Sequence, residues 1–519
     1  MDEKLPENVD VVVLGTGLPE AILASACARA GLSVLHLDRN EYYGGDWSSF
    51  TMSMVHEVEE NKVPKLTPEN VTRLSAHLTS SETLIELGNR EVVENIQRMW
   101  IPRDSDEKPM NEKLEEANQM RRFSIDLVPK ILVSKGNMVQ TLCDSQVSHY
   151  AEFKLINRQL CPTQNSETTK ITLNPVPCSK GEIFQTNVLS ILEKRALMKF
   201  ITFCTQWATK PTEEGRQLLG EYPDRPFSEF LAQMGVEETL QSFIINTIGI
   251  LESRPTTMSG MLACCEFMDS VGHFGPSPFL FPLYGCGELS QCFCRLAAVF
   301  GSLYCLGRPV QAMVKEGGRI TAIIANNERI NCRHVIMSPR FVPEGVQVQK
   351  TSRIERIVYA TDKSIKESEK EQLTLLNLAA LRPGESVSRV IEVGFEACTA
   401  PKGHFLVHAT GTQEEDETSI EPLIDQIFRE TEVSPYWKMS FIVNSLKFEN
   451  EKLTQFIGEN VVVAPPVDAN IHYASVIEEC RQLFCSTWPD LDFLPRAIKN
   501  EEDEKEANEE NPVDTSENS

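Results

Sequence analysis

Val11-Val12-Val13-Leu14-Gly15-Thr16-Gly17-Leu18-Pro19-Glu20 is the stretch on which the fold turns. Its four apolar residues read as a buried strand and its Gly-Thr-Gly triplet as a tight turn. Pro19 then opens a helix through the small-residue run Glu20 to Arg29. After Gly31 a second apolar run, Val34-Leu35-His36-Leu37, ends in Asp38, which completes a βαβ unit with parallel strands. The fold class is therefore α/β, on a frame like that of FAD- and NAD(P)-binding domains.

A working turn of this kind uses three glycines, for tightness, for close approach to pyrophosphate and for helix contact, with the phosphates resting on the helix N-terminus. Here Glu20 stands in the third place. A carboxylate in the first helical turn satisfies the positive helix end by itself, and it would oppose a pyrophosphate if it pointed into the same hollow. Asp38 keeps the position of a ribose-binding acid. Flavoproteins of this architecture also close their site with a late Gly-Asp turn. The comparable run Val461-Val462-Val463 instead enters Ala464-Pro465-Pro466, before a helix-like stretch with Tyr473, Ile477 and Leu483. No FAD or NAD cofactor is expected, and no metal; a FAD-dependent oxidoreductase is the rival from another class.

The 519 residues, 41% hydrophobic and 24% charged, suffice for a large core and more than one domain. Fifteen cysteines without a C-x-x-C pair or an apolar leader read as reduced thiols of a cytosolic protein. No apolar run approaches the roughly 20 residues of a membrane span. The ending Ser516-Glu517-Asn518-Ser519 lacks a cysteine for prenylation, so membrane contact is expected to be indirect. A net charge of -25 disfavours nucleic acid as a partner, since a polyanion would be repelled. Much of that charge sits in a tail opening with Glu501-Glu502-Asp503-Glu504, too polar to order itself.

Residues 1–178 read as the first part of a large domain, with a polar insertion or lid at about 52–121. Helical periodicity, as in Leu189-Leu192-Ala196-Phe200-Phe203, marks a separate helical domain over 179–274. Short β-rich runs return at 312–314, 320–324, 335–337, 357–360, 387–393 and 461–463, so 275–498 resumes the large domain and 499–519 is a disordered acidic tail.

Two distant segments carry a resemblance. Asp38-Arg39-Asn40-Glu41-Tyr42-Tyr43-Gly44-Gly45 and Phe281-Pro282-Leu283-Tyr284-Gly285-Cys286-Gly287-Glu288-Leu289-Ser290-Gln291 resemble the superfamily of Rab GDP-dissociation inhibitors and Rab escort proteins. Ser124-Ile125-Asp126-Leu127-Val128-Pro129-Lys130 and Tyr150-Ala151-Glu152-Phe153-Lys154 extend it. The resemblance implies a platform on the large domain that binds GDP-loaded Rab GTPases, with Tyr43, Glu288 and Arg295 in contact and Leu303 and Cys305 at two further positions. Aromatic and arginine side chains dominate interface energies. The plainer alternatives are a loop tyrosine capping the second strand and a weak surface ion pair between Glu288 and Arg295.

The run Val176-Pro177-Cys178-Ser179-Lys180-Gly181-Glu182-Ile183-Phe184, followed by Leu192-Glu193-Lys194-Arg195-Ala196, is similar to the escort branch. There Phe184 and Arg195 imply docking of the Rab geranylgeranyltransferase heterodimer; read physically, an aromatic at the place of Phe184 is more often a staple at the start of a helix than a docking residue. The escort branch implies presentation of new Rabs for prenylation, shielding of the geranylgeranyl groups and delivery to membranes, without catalysis of its own. An inhibitor that recycles prenylated Rabs is the alternative.

Overall fold

β1 (Asn8–Leu14), α1 (Leu18–Arg29) and β2 (Val34–Leu37) form the βαβ unit that the opening stretch predicts. The strands pair in parallel, from Val11 opposite Val34 to Leu14 opposite Leu37. Both apolar runs are buried, as befits strands covered on two faces. In the computed structural model the described residues are 5–57, 65–103, 107–164, 168–176, 189–210, 212–251, 255–349, 352–382, 388–413 and 418–496. The expected acidic tail lies outside them.

α1 is buried on every side from Leu18 to Ala28. A helix without a polar face belongs in an interior. Its small residues, among them Ala21, Ala24, Ser25 and Ala28, let the helix Gly287–Val299 approach closely, and the Ser25 hydroxyl donates to the Phe293 carbonyl of that helix at 2.7 Å. The helix Ala474–Thr487 packs on α1 as well.

The unit is part of an eight-stranded mixed sheet. Its order is Leu303–Cys305, β2, β1, Glu328–Met337, Arg319–Ala325, Val310–Glu316 and Thr83–Ile85, with Val461–Val463 also paired to Glu328–Met337. A second eight-stranded sheet runs Ile171–Pro175, Arg158–Gln164, Thr374–Asn377, Ser388–Gly394, Phe405–Thr412, Arg353–Thr361, Trp437–Asn444 and Val93–Trp100. Both sheets therefore draw strands from either side of the helical region. The polar stretch 52–121 departs from its expectation as a lid, because it supplies an edge strand to each sheet, Thr83–Ile85 and Val93–Trp100. None of the side chains of Val93–Trp100 is fully buried, so its sequence shows little apolar period.

Between 189 and 274 the described residues include the helices Ile191–Ala208, Thr212–Leu218, Phe227–Gln233, Glu238–Phe243 and Thr257–Ser270. Ser190 and Glu193 form a reciprocal capping box that starts the first of them. Its buried row is Leu197, Phe200, Cys204 and Trp207. The expected stripe began too early: Leu189 precedes the helix, and Leu192 in its first turn is 72% exposed.

The turn after β1 is filled from within. Gly15 adopts φ +97°, and a Cβ on Gly17 would lie 2.3 Å from Glu20 Oε2 and 3.2 Å from the Trp47 ring. Glu20 thus folds back over Gly17 into the hollow where a pyrophosphate would rest. Asp38 accepts hydrogen bonds from the Thr16 amide and hydroxyl at 2.8 and 2.6 Å and from the Asn40 amide at 2.8 Å. The space left is about 30 Å³. That admits a water or two, whereas ligand sites run to roughly 300–1,000 Å³. These residues do not fit a dinucleotide.

Burial, reinforced by Asp46 and Asp38 and opposed by hydrogen bonds from its own amide and Ser338, raises Glu20 from 4.5 to about 8. The folded protein therefore holds a proton that the unfolded chain has lost, and stability from this group declines as pH rises from about 4.5 to about 8. In urea unfolding, Glu20→Gln should gain on the parent by more than about 1 kcal/mol between pH of about 5 and about 8.5. Parallel pH profiles for the two proteins would contradict this.

Candidate functional site

The helix Gly287–Val299 turns one row, Leu289, Cys292, Phe293, Leu296 and Ala297, into the core. The opposite row, Glu288, Gln291, Arg295 and Ala298, follows the 3-4-3 spacing of a single outward face. Glu288 and Arg295, seven residues apart, stand about 10 Å from each other along the axis. Neither is ion-paired among the described residues. Glu288 accepts from Gln291 Nε2 at 3.2 Å, and burial together with nearby Asp126 raises its carboxyl above the usual range. The Arg295 guanidinium lies over the Tyr150 ring, 4.5 Å from its centre. Such an exposed stack contributes about 0.5–1 kcal/mol and keeps the guanidinium's donors free to bind.

Tyr43 arrives from the loop after β2. Gly44, with φ +98° and room for no Cβ against Ser48, turns that loop, and its amide donates to the Thr16 hydroxyl at 3.1 Å. The former cradle thus holds the loop that presents Tyr43. The half-buried Tyr43 ring leans on Tyr304 at 6.1 Å, and burial raises its phenol's pKa. Tyr43, Tyr150, Glu288, Gln291, Arg295 and Tyr304 line one open concavity of about 300 Å³.

Three of the five expected platform residues, Tyr43, Glu288 and Arg295, therefore meet at one site. Leu303 and Cys305 do not line it. They lie on the strand beside β2, in register with Leu35 and Leu37, and alternation turns Tyr304, not its neighbours, into the concavity. Cys305 packs on the core beneath the sheet. Leu303 is 51% exposed. Tyr304 and Tyr150 went unassigned from sequence, though strand alternation between Leu303 and Cys305 was a usable signal for the first.

Arg195 is exposed near the start of Ile191–Ala208. Phe184 lies outside the described residues.

Chemically the concavity suits recognition. Burial pushes the Cys292 and Cys294 thiols up to about 12, so neither is a thiolate at neutral pH. No group of three or more side chains able to hold a metal ion occurs among the described residues. No helix among them is long and apolar enough to cross a membrane. Tyrosines, an arginine and a half-buried carboxyl around an open hollow are the residue types common at interfaces with polypeptides.

The chain is similar to several known proteins. "Rab proteins geranylgeranyltransferase component A 1" of Caenorhabditis elegans is 78% identical over 503 residues, 97% of either chain. "Rab proteins geranylgeranyltransferase component A" of Drosophila melanogaster is 30% identical over 511 residues, 97% of this chain and 93% of that one. The crystal structure of a Rab GDI from Plasmodium falciparum shares the fold, with a TM-score of 0.70 at 19% identity over 94% of this chain and all of the other. The model of the GDP dissociation inhibitor family matches residues 1–73 and 95–496. The chain belongs to the GDP dissociation inhibitor family.

Proposed function

We propose that this chain is a Rab escort protein, the accessory component A of a Rab geranylgeranyltransferase. It binds newly made, GDP-bound Rab GTPases in the cytosol and presents them to the catalytic heterodimer. The observation that carries this reading is the convergence of Tyr43, Glu288 and Arg295 with Tyr150 and Tyr304 in one concavity. The 78% identity to a protein named as component A favours escort over recycling inhibition. The chemistry of prenylation belongs to the partner, which docks through Phe184 and Arg195. This chain then shields the geranylgeranyl groups until delivery to a membrane. A geranylgeranyl group in water needs an apolar host, since each buried CH₂ contributes about 0.8 kcal/mol.

Lipid transfer from labelled geranylgeranyl diphosphate to unprenylated Rab·GDP should depend on adding this chain to the heterodimer. Rab binding without transfer would leave a recycling inhibitor, and no binding would overturn the reading. Tyr43→Ala and Arg295→Ala should each weaken Rab binding by about 2 kcal/mol, roughly 30-fold. Arg195→Ala should lower transfer while leaving the Kd for Rab unchanged; equal transfer by this variant and the parent would remove Arg195 from the docking surface.

A further inference from the structure

The platform has two halves from distant parts of the chain, the Tyr43 loop and the helix Gly287–Val299. Something must set their distance. Asp126 lies in the two-residue strand Ile125–Asp126, paired antiparallel with Ser49–Phe50 in the continuation of the Tyr43 loop. Its Oδ1 accepts from the Ser49 hydroxyl and, at 2.8 Å, from the backbone amide of Cys286. The same hydroxyl accepts from the Gly287 amide at 2.8 Å. Cys286 is the N-cap and Gly287 the first residue of the platform helix. Two amides at the helix start are therefore satisfied here, that of Gly287 by the Ser49 hydroxyl on the segment that continues from Tyr43, and that of Cys286 by Asp126, to which Ser49 donates. A carboxylate at that end also complements the helix dipole.

Steric detail supports the assignment independently. A Cβ on Gly285, which adopts φ +101°, would come within 2.6 Å of Asp126 Oδ1 and 2.9 Å of Ser49 Oγ. One on Gly287 would come within 2.6 Å of the Ser49 amide nitrogen. Only a Gly-x-Gly turn lets the two halves close on this contact. Between the clasp and the turn, Ser124 donates its hydroxyl to the Tyr284 carbonyl, and Tyr284 is held at φ +67° with its side chain exposed. A non-glycine residue in that region costs of order 1 kcal/mol and persists where its surroundings over-determine it.

We infer that Asp126 and Ser49 are positioning residues for GTPase binding: they touch no partner themselves and set the spacing between Tyr43 and the Glu288–Arg295 face. The inference rests on the function proposed above. It differs from a merely structural role in what it predicts, because a spacing defect weakens Rab binding and leaves the turnover of a saturated complex intact.

The test uses the full chain with Rab·GDP, the prenyltransferase heterodimer and geranylgeranyl diphosphate, and reads the Kd for Rab separately from the maximal transfer rate. Ser49→Ala should raise the Kd about fivefold, the equivalent of one hydrogen bond, with the maximal rate unchanged. Asp126→Ala should raise it further, and Asp126→Asn, which keeps an acceptor oxygen, should recover part of the loss. Thr361→Val, removing a buried hydroxyl that donates to the Lys363 carbonyl at 2.8 Å in the second sheet, controls for general destabilisation and should leave the Kd unchanged. An unchanged Kd for Ser49→Ala and Asp126→Ala would overturn the inference. So would a loss of Kd and rate in proportion to unfolded protein, matched by Thr361→Val. If the parent chain itself supported neither binding nor transfer, the function proposed above would fall first, and this assignment with it.

Discussion

Close packing of α1 against the helix Gly287–Val299 is the contact on which the rest of the structure depends. It requires small residues on α1, and the sequence supplies Ala21, Ala24, Ser25 and Ala28 there, all buried. With its inner row fixed against α1, the platform helix has one rotational setting, and that setting places Glu288, Gln291 and Arg295 outward. The Ser25 hydroxyl on the Phe293 carbonyl locks the same orientation. Burial of an all-round apolar helix thus determines which side chains are available for binding.

The turn after β1 keeps the outline of a dinucleotide-binding turn but is filled by its own side chains. In a dinucleotide-binding turn the helix start and the acid after the second strand face a ligand. Here Glu20 occupies the first position, its pKa raised by burial to about 8, and the Thr16 and Asn40 donors occupy Asp38. Thr16 in turn holds Gly44 and so the loop of Tyr43. Groups at the positions of a cofactor cradle instead hold the loop of Tyr43 in shape. Internal satisfaction of these polar groups is what makes the substitution stable, because unpaired groups at such depth are costly.

Much of this was legible in the sequence. β1, α1 and β2 announce themselves through an uninterrupted apolar run, a glycine turn and small residues, and the late strands through short β-branched runs. The buried row of Ile191–Ala208 was read too early because Leu192 precedes the packed part of the helix. Thr83–Ile85 and Val93–Trp100 were missed because edge strands carry no strong apolar period. Tyr43, Glu288 and Arg295 came from a family resemblance and converge in space. Leu303 and Cys305 belong to a strand whose alternation gives the concavity to Tyr304. The direction of the Glu20 side chain and the Asp126–Ser49 contact depend on residues far apart in the chain, and no local pattern encodes them.

The central claim is that a GDP-bound Rab sits on the concavity between the Tyr43 loop and the platform helix. Amide hydrogen exchange of the full chain, alone and with saturating unprenylated Rab·GDP, tests it most directly. A Rab seated there slows exchange only in the segments around Tyr43–Ser49, Tyr150 and Tyr284–Ala298. Binding that leaves those segments unchanged and protects another face would contradict it.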